Sequence, residues 1–282
     1  MLNVLYLIVI IICGSGQSIT KKSYTQKVGD RGIYFFNAVL STSALVFFVA
    51  TATNLHFDFS YIPYSVGFAI SYITASLFMV LAIAYGSLSL TSLFVSYSLM
   101  IPTIYGLVIG DTVSPGFIPG MLFLFISLFL TNKRDKNIKI SSKWIVCLVL
   151  SFAGNGMCTV IQKMQQVASN GAYKHEFMIV ALGIVAVIML VMTLYSERKN
   201  VLFYAKSGWL LAVICGALNG TVNLFVMILS GRMSLSIMFP LISAGGLIIT
   251  YIVSRFLYKE KMSKTQLTGF IFGLAAVVLL NI

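Results

Sequence analysis

The sequence predicts an all-α integral membrane protein with ten transmembrane helices in two inverted five-helix repeats. Of its 282 residues, 59% are hydrophobic and 9% are charged. A soluble domain carries roughly a quarter charged residues, so a chain this poor in charge belongs in a bilayer. Its apolar residues fall into runs of about 20, the length that crosses a bilayer as a helix. An outer-membrane barrel would instead show weak alternation of apolar and polar residues. The third observation is that the two halves of the chain repeat one another.

Ten apolar runs account for most of the chain, and their short connections leave no room for a separate soluble domain. The predicted spans are residues 2–20, 33–52, 64–85, 88–109, 116–131, 143–162, 177–196, 208–229, 233–257 and 266–282. We expect the first run to remain in the protein as a span. Its basic residues, Lys21 and Lys22, follow the apolar segment, whereas a signal peptide carries them in front.

Local features predict where these helices bend and pack. Pro102 and Pro240 lie inside the fourth and ninth spans, where a proline removes a helical hydrogen bond and kinks the helix. Glycines four residues apart allow neighbouring helices to approach closely. Such pairs occur at Gly116 and Gly120, Gly216 and Gly220, and Gly269 and Gly273.

The internal repeat is clearest between residues 76–90 and residues 223–237. At this offset of 147, five of the fifteen positions are identical. Further matches keep the same order along the chain at slightly different offsets: Asp111 with Glu260 and Gly120 with Gly269 at 149, and residues 14–16 with residues 154–156 at 140. Five spans per half is an odd number, so the second half must enter the membrane from the opposite side. An inverted repeat of this kind is typical of secondary transporters, whose substrate site lies near the midplane between the halves.

This repeat divides the chain into three parts. The first five-helix repeat covers residues 1–132, a basic connecting loop covers 133–142, and the second repeat covers 143–282.

Basic residues predict the orientation. Sixteen lie on the face away from the termini: Lys21, Lys22, Lys27, Arg31, Lys133, Arg134, Lys136, Lys139, Lys143, Arg198, Lys199, Lys206, Arg255, Lys259, Lys261 and Lys264. The terminal face has only Lys163, Lys174 and Arg232. Because cytoplasmic loops carry the excess of Lys and Arg, we expect the basic loops in the cytoplasm and both termini outside, in the cell (plasma or inner) membrane.

The stretch from Pro240 to Ile282 carries a family resemblance. It combines Pro-Leu-Ile-Ser-Ala-Gly-Gly, the turn Tyr258-Lys259-Glu260-Lys261, and a final helix with Gly269. This stretch resembles the last two helices of small multidrug resistance proteins. In architecture the whole chain resembles the larger drug/metabolite transporter superfamily, in particular its ten-span, EamA-like members. The resemblance implies a transporter of small organic molecules.

The chain departs from this pattern in two respects. Small multidrug resistance proteins carry a membrane-embedded glutamate three residues before a glycine, whereas Cys13 and Ala153 stand at the matching positions here. The carboxylate through which that family couples transport to protons is therefore absent from both halves. Ten-span members of the superfamily also usually have cytoplasmic termini, the reverse of the orientation that the charges predict.

Polar side chains inside the spans mark a candidate substrate site, since a polar group at membrane depth is costly and faces a cavity or another helix. Tyr72 and Ser76 lie one turn apart in the third span, and the offset of 147 places them over Asn219 and Asn223. We expect these four to line a site between the halves, although such groups can also serve only to tie helices together. The other candidates also lie inside spans: Gln17, Asn37, Ser96, Tyr97, Asn155 and Ser243.

The function that these patterns favour is secondary transport of a small organic solute, a metabolite or a drug, by efflux or exchange. The alternative is a passive channel or facilitator. A membrane-embedded enzyme is disfavoured, because no histidine lies in any span to activate a serine such as Ser15. We predict no catalytic residue, no metal site and no cofactor, since the four cysteines form no CxxC pair.

The expected partners are the solute and the lipid bilayer. The net charge of +12 fits the cytoplasmic helix ends against anionic lipid, so no nucleic acid is expected. Without a buried carboxylate, the sequence favours a neutral or zwitterionic solute over a cation. A monomer and a homodimer both remain open.

Overall fold

The protein is all-α in the computed structural model, which describes residues 2–110, 115–131, 141–233, 235–259 and 263–279. Within these ranges there is no β-strand. The helices are α1 (Leu2–Val28), α2 (Ile33–Thr51), α3 (Ile62–Tyr85), α4 (Leu88–Ser96), α5 (Met100–Val108), α6 (Phe117–Thr131), α7 (Ser142–Ala168), α8 (Lys174–Ser196), α9 (Val201–Ser230), α10 (Leu235–Phe256) and α11 (Lys264–Leu279). Asp111 and Glu260, which the repeat aligns, lie outside the described residues.

Six helical segments of the described chain are long and apolar enough to cross a membrane. They are Leu2–Val28, Ile33–Thr51, Phe59–Tyr85, Ser142–Ala168, Lys174–Ser196 and Arg198–Ser230. Large apolar side chains such as Val46, Val187 and Leu210 are more than half exposed, as expected where lipid surrounds a helix. The remaining predicted spans lie on α4, α5, α6, α10 and α11, which are shorter or carry shorter apolar stretches.

Three helices continue well beyond the predicted spans. α1 runs to Val28 instead of residue 20, α7 runs to Ala168 instead of residue 162, and α9 begins at Val201 instead of residue 208. The added residues are mostly Lys, Gln, Tyr, Ser and Thr, which a search for apolar runs ignores although several of them favour helices. Apolar runs therefore mark the part of a helix that faces lipid, and the helix itself extends further.

The fourth predicted span is broken. A 3-10 turn at residues 97–99 separates α4 from α5, immediately before Pro102. Proline lacks the N–H that would bond the carbonyl four residues earlier. The helix therefore loses a hydrogen bond at the turn where the break occurs. In contrast, α10 is continuous across Pro240, which lies close to its N-terminal end.

The helices of the two predicted halves are interleaved. α3 packs along α7, α1 along α9, α6 along α11, and α2 against both α8 and α9. The largest apolar core lies among these helices and includes the fully buried Phe36, Phe48, Phe68 and Phe177. Each half therefore buries its apolar surface mainly against the other half.

Glycines allow this close interleaving, as the sequence predicts. A Cβ atom at Gly216 would collide with the Leu40 carbonyl oxygen, and one at Gly220 would lie 2.5 Å from the Phe47 ring. Both contacts join α9 to α2. In the α6–α11 pair, a Cβ atom at Gly273 would lie 2.8 Å from the Ser127 hydroxyl. A side chain at Gly216 would require a movement of the α2 backbone, whereas one at Gly220 or Gly273 would require the Phe47 ring or the Ser127 side chain to move.

The start of α2 is capped from the other half of the chain. Gly32, at its N-cap, has no side chain to cap the helix. The Glu197 carboxylate instead accepts hydrogen bonds from the backbone N–H groups of Tyr34 at 3.2 Å and Phe35 at 2.8 Å. Burial nevertheless raises the pKa of the Glu197 carboxyl above its ordinary value. This cap fixes the end of α8 beside the start of α2.

Candidate functional site

A cavity of about 250 Å³ lies between six helices of the described chain. Its walls come from α1, α3 and α4 of the first predicted repeat and from α7, α9 and α10 of the second. Ligand pockets for drug-sized molecules measure about 300–1,000 Å³. The cavity therefore suits a compact, metabolite-sized molecule.

Five side chains form a continuous hydrogen-bond network in the cavity wall. The Tyr72 hydroxyl donates to Asn219 Oδ1 at 2.8 Å, and Asn219 Nδ2 donates to Gln17 Oε1 at 2.9 Å. Asn223 Nδ2 donates to Asn219 Oδ1 at 3.0 Å, and Gln162 Nε2 donates to Asn223 Oδ1 at 2.8 Å. The network thus joins α1, α3, α7 and α9, and it offers both donors and acceptors to a molecule in the cavity.

Seven of the residues singled out from the sequence line this cavity. They are Gln17, Tyr72, Ser76, Asn155, Asn219, Asn223 and Ser243. Asn155, on α7, also donates a hydrogen bond of 2.7 Å to the hydroxyl of Ser98 in the 3-10 turn. The structure therefore brings together candidates from five separate predicted spans of the sequence.

Asn37 lies behind the cavity wall. It is buried, its Oδ1 accepts a hydrogen bond from the Ser76 hydroxyl, and its Nδ2 donates to the Ile33 carbonyl at 2.9 Å. Its contact with the cavity is therefore indirect, through Ser76.

Tyr97 lies away from the cavity wall. Its buried hydroxyl is 2.7 Å from the Ser127 hydroxyl, which in turn donates to the Gly269 carbonyl at 2.6 Å. These contacts tie the 3-10 turn to α6 and α11, so Tyr97 holds helices together. Ser96, the neighbouring candidate, ends α4, and its side chain lies outside what the structure describes.

Lys21 lies in the cavity wall and not in a cytoplasmic loop, where the apolar runs place it. It belongs to α1 and lines the cavity with only 9% of its surface exposed. The helix continues past the apolar run, which turns this side chain inward. The signal was present in the sequence, because Gly14, Gln17 and Lys21 share one helical face.

Gln162 was also missed. It lies at the predicted end of the sixth span, where an amide looks like part of a loop. Because α7 continues to Ala168, Gln162 is 4% exposed and faces Asn223. A polar residue at the end of an apolar run is thus a site candidate when the helix continues beyond it.

The rest of the lining is apolar or weakly polar. Phe68, Met79, Val226 and Phe239 line the cavity, and the thioether of Met79 adapts readily to irregular shapes. The lining residues include no Asp, Glu or His. No group of three or more His, Cys, Asp or Glu side chains placed to hold a metal ion occurs among the described residues. The cavity can bind a molecule through amides, hydroxyls, rings and one ammonium group.

The helices around the cavity are joined at both ends. At the end near the basic loops, the Tyr258 hydroxyl lies 2.8 Å from the Ser23 hydroxyl and donates to the Ile19 carbonyl at 3.0 Å. At the opposite end, Lys163 donates to the Ser230 carbonyl at 3.2 Å. The Tyr258 contacts join α1 to the chain after α10, in different predicted halves, whereas the Lys163 contact joins α7 to α9 within the second predicted half.

The fold has a counterpart among solved structures. One crystal structure, described only as "Crystal structure of protein", superposes with a TM-score of 0.70 over 98% of this chain and 95% of its own, at 12% sequence identity. At this identity the likeness shows a shared fold and no shared activity. No protein-family model and no curated protein matches the sequence.

Proposed function

We propose that the protein is a secondary transporter that moves a small organic solute across the membrane by alternating access between two inverted repeats. The observation that carries this proposal is the cavity between the predicted repeats. Its lining helices form three pairs that the repeat relates, namely α1 with α7, α3 with α9, and α4 with α10. A substrate site between inverted repeats is the arrangement found in many secondary transporters.

The packing of the helices supports the inverted repeat. When each helix is replaced by its repeat partner, the α3–α7 pair becomes α9–α1, and both pairs pack together. The α2–α8 and α6–α11 pairs map onto themselves, as expected for helices that meet at a pseudo-two-fold axis. Tyr72 and Asn219 are also 147 residues apart, the offset of the repeat, and they bond directly to each other.

The contacts at the end of the cavity near the basic loops support alternating access. Movement of the first predicted half against the second would separate the Tyr258 hydroxyl from Ser23 and Ile19. These are a few polar bonds, which separate at small cost. The Lys163 contact with Ser230 lies within the second predicted half, so a path to the other side requires a movement between α7 and α9.

The proposal includes a family and an orientation. We assign the chain to the EamA-like, ten-span part of the drug/metabolite transporter superfamily, in the plasma or inner membrane, with efflux or exchange as its direction. The basic loops are cytoplasmic and the termini lie outside. Moving Lys21 from the loops into the cavity wall leaves fifteen basic residues on that face against three on the other, so the charge argument holds.

Solute counterflow tests the transport proposal. A thermal-shift panel of metabolites and hydrophobic cations identifies solutes that bind, because a ligand of the folded state raises its apparent stability. Proteoliposomes loaded with an excess of the best solute should then accumulate its external labelled form transiently above equilibrium. A channel produces equilibration without this overshoot, and protein-free liposomes give the background. Equilibration alone for every stabilising solute would contradict the transporter proposal.

Reporter fusions test the orientation. With the C-terminus outside, a C-terminal alkaline phosphatase fusion should be active and a C-terminal green fluorescent protein fusion dark. Fusions placed in the basic loop at residues 133–142 should show the reverse. A fluorescent C-terminal fusion with an inactive phosphatase would overturn the charge argument and restore cytoplasmic termini.

A further inference from the structure

Lys21 is the one charged residue among the described residues that line the cavity. Its side chain is about nine-tenths buried, and its neighbour on α9 is the thiol of Cys215, which interacts with it electrostatically but is not a carboxylate. Burying a charge is costly unless an opposite charge or hydrogen-bond acceptors compensate it. No Asp or Glu among the lining residues supplies that charge. Among the described residues, the cavity therefore presents the amine of Lys21 without a carboxylate partner.

The neighbouring Lys22 shows that Lys21 does more than mark the cytoplasmic side. Successive residues of a helix point about 100° apart, so the two ammonium groups face different surroundings. Lys22 is half-buried outside the cavity, and its ammonium donates to the Gly86 carbonyl at 3.5 Å. The position of Lys22 is the one expected of a lysine that follows the positive-inside rule. Lys21 instead adds its charge to the cavity.

We propose that the cavity binds small organic anions, and that Lys21 pairs with their carboxylate or phosphate group. This inference rests on the proposed transport function and names the class of its substrate. It also replaces the expectation of a neutral or zwitterionic solute, which considered only the residues inside the apolar runs and so did not include Lys21.

The remainder of the cavity fits the rest of such a molecule. Gln17, one turn before Lys21 on α1, belongs to the amide network that offers donors and acceptors to hydroxyl or amide groups. Phe68 and Phe239 supply aromatic surface for an apolar part. A compact acid with an oxyanion at one end and a ring at the other matches this order of groups.

Matched probes test the inference in the purified full-length protein, held in phosphatidylcholine nanodiscs. Phenylacetate and phenyl phosphate carry the anion, whereas phenylacetamide and phenethylamine present a similar shape as a neutral and a cationic molecule. We expect the two anions to raise the melting temperature and the other two to have little effect. A second preparation in phosphatidylglycerol nanodiscs distinguishes a soluble anion from a lipid headgroup as the ligand. If the site binds lipid headgroups, phosphatidylglycerol will compete with the probes and reduce their effect.

Substitutions at adjacent lysines identify the group that binds. In Lys21→Met the dissociation constant of phenylacetate should rise about tenfold to 150-fold, the range for losing a hydrogen bond to a charged group. The empty variant should melt at a higher temperature than the wild type, because an unpaired buried charge is gone. Lys21→Arg should keep the response to anions. Lys22→Met is the matched control, with the same change of net charge, and should bind phenylacetate as the wild type does.

Three results would overturn the proposal: equal effects of phenylacetate and phenylacetamide, no effect of either anion on the wild type, or full anion binding by Lys21→Met. Anion binding without counterflow in proteoliposomes would refute the transport function and leave the binding site in place. Counterflow of a neutral or cationic solute, with no response to the anions, would refute the anion site and leave the transport function in place.

Discussion

Replacing Gly154 by leucine should prevent the protein from folding stably. A Cβ atom at this position in α7 would lie 2.6 Å from the Ala75 nitrogen and 2.7 Å from the Ser71 carbonyl oxygen of α3. Both are backbone atoms, so no side-chain rotation relieves the collision, and the whole α3–α7 contact must separate. Overpacking costs typically up to about 3 kcal/mol and occasionally more. We expect a large fall in melting temperature and loss of the monodisperse peak in size-exclusion chromatography in detergent.

Gly183→Leu is the matched control. It makes the same substitution in the middle of α8, where an added Cβ atom meets no other group within 4 Å. Glycine disfavours helix by about 1 kcal/mol relative to alanine, and leucine does not, so this variant should melt at or above the wild-type temperature. Equal melting temperatures for the two leucine variants would show that α3 and α7 do not pack as closely as described.

Truncating Asn223 should weaken substrate binding more than it weakens the fold. Its amide lines the cavity, donates to Asn219 and accepts from Gln162. Removing a buried hydrogen-bonding group leaves its partners unsatisfied, at a cost of about 1–3 kcal/mol. For the solute identified by counterflow, Asn223→Ala should therefore raise the half-saturating concentration about five- to 150-fold. Asn219→Ala should reduce binding and melting temperature together, because Asn219 also bonds Tyr72 and Gln17.

Thr221→Ala provides the comparison on the same helix. The Thr221 hydroxyl bonds only the Ala217 carbonyl of its own helix, and the residue does not line the cavity. Its truncation should leave both the half-saturating concentration and the melting temperature close to the wild-type values. If Asn223→Ala behaved like Thr221→Ala, the amide network would be structural and the substrate would contact other residues, with Ser76, Asn155 and Ser243 next to be tested.

Helix positions followed from the sequence wherever a helix meets lipid along its length. The predicted second span ends within one residue of α2, and the predicted seventh span ends with α8 at residue 196. The prediction failed where a helix projects beyond its apolar run, as α1 does between residues 20 and 28. There the helix is surrounded by other helices and by the membrane surface. An apolar pattern in the sequence does not reveal a helix in such surroundings.

The repeat predicted from the sequence identified part of the candidate site. The repeat alone placed Tyr72 over Asn219, and the structure bonds the two side chains to each other. The roles of Asn37 and Tyr97 depend on which helix lies behind them, so the sequence could not separate them from lining residues. The sequence did not identify Lys21 as a lining residue, because positive charges near the end of a span are ordinarily assigned to the cytoplasmic surface.

The interleaving of the halves has a consequence for how the protein is made. α1 is complete at Val28, but its main partner, α9, begins at Val201. At about 5–20 residues per second of synthesis, α1 waits roughly 10–35 s for that partner. During this time its glycines and its cavity-facing Gln17 and Lys21 are exposed to lipid or to the insertion machinery. A first half made alone would therefore hold these polar groups in the membrane without the α9 contacts that surround α1 in the complete protein.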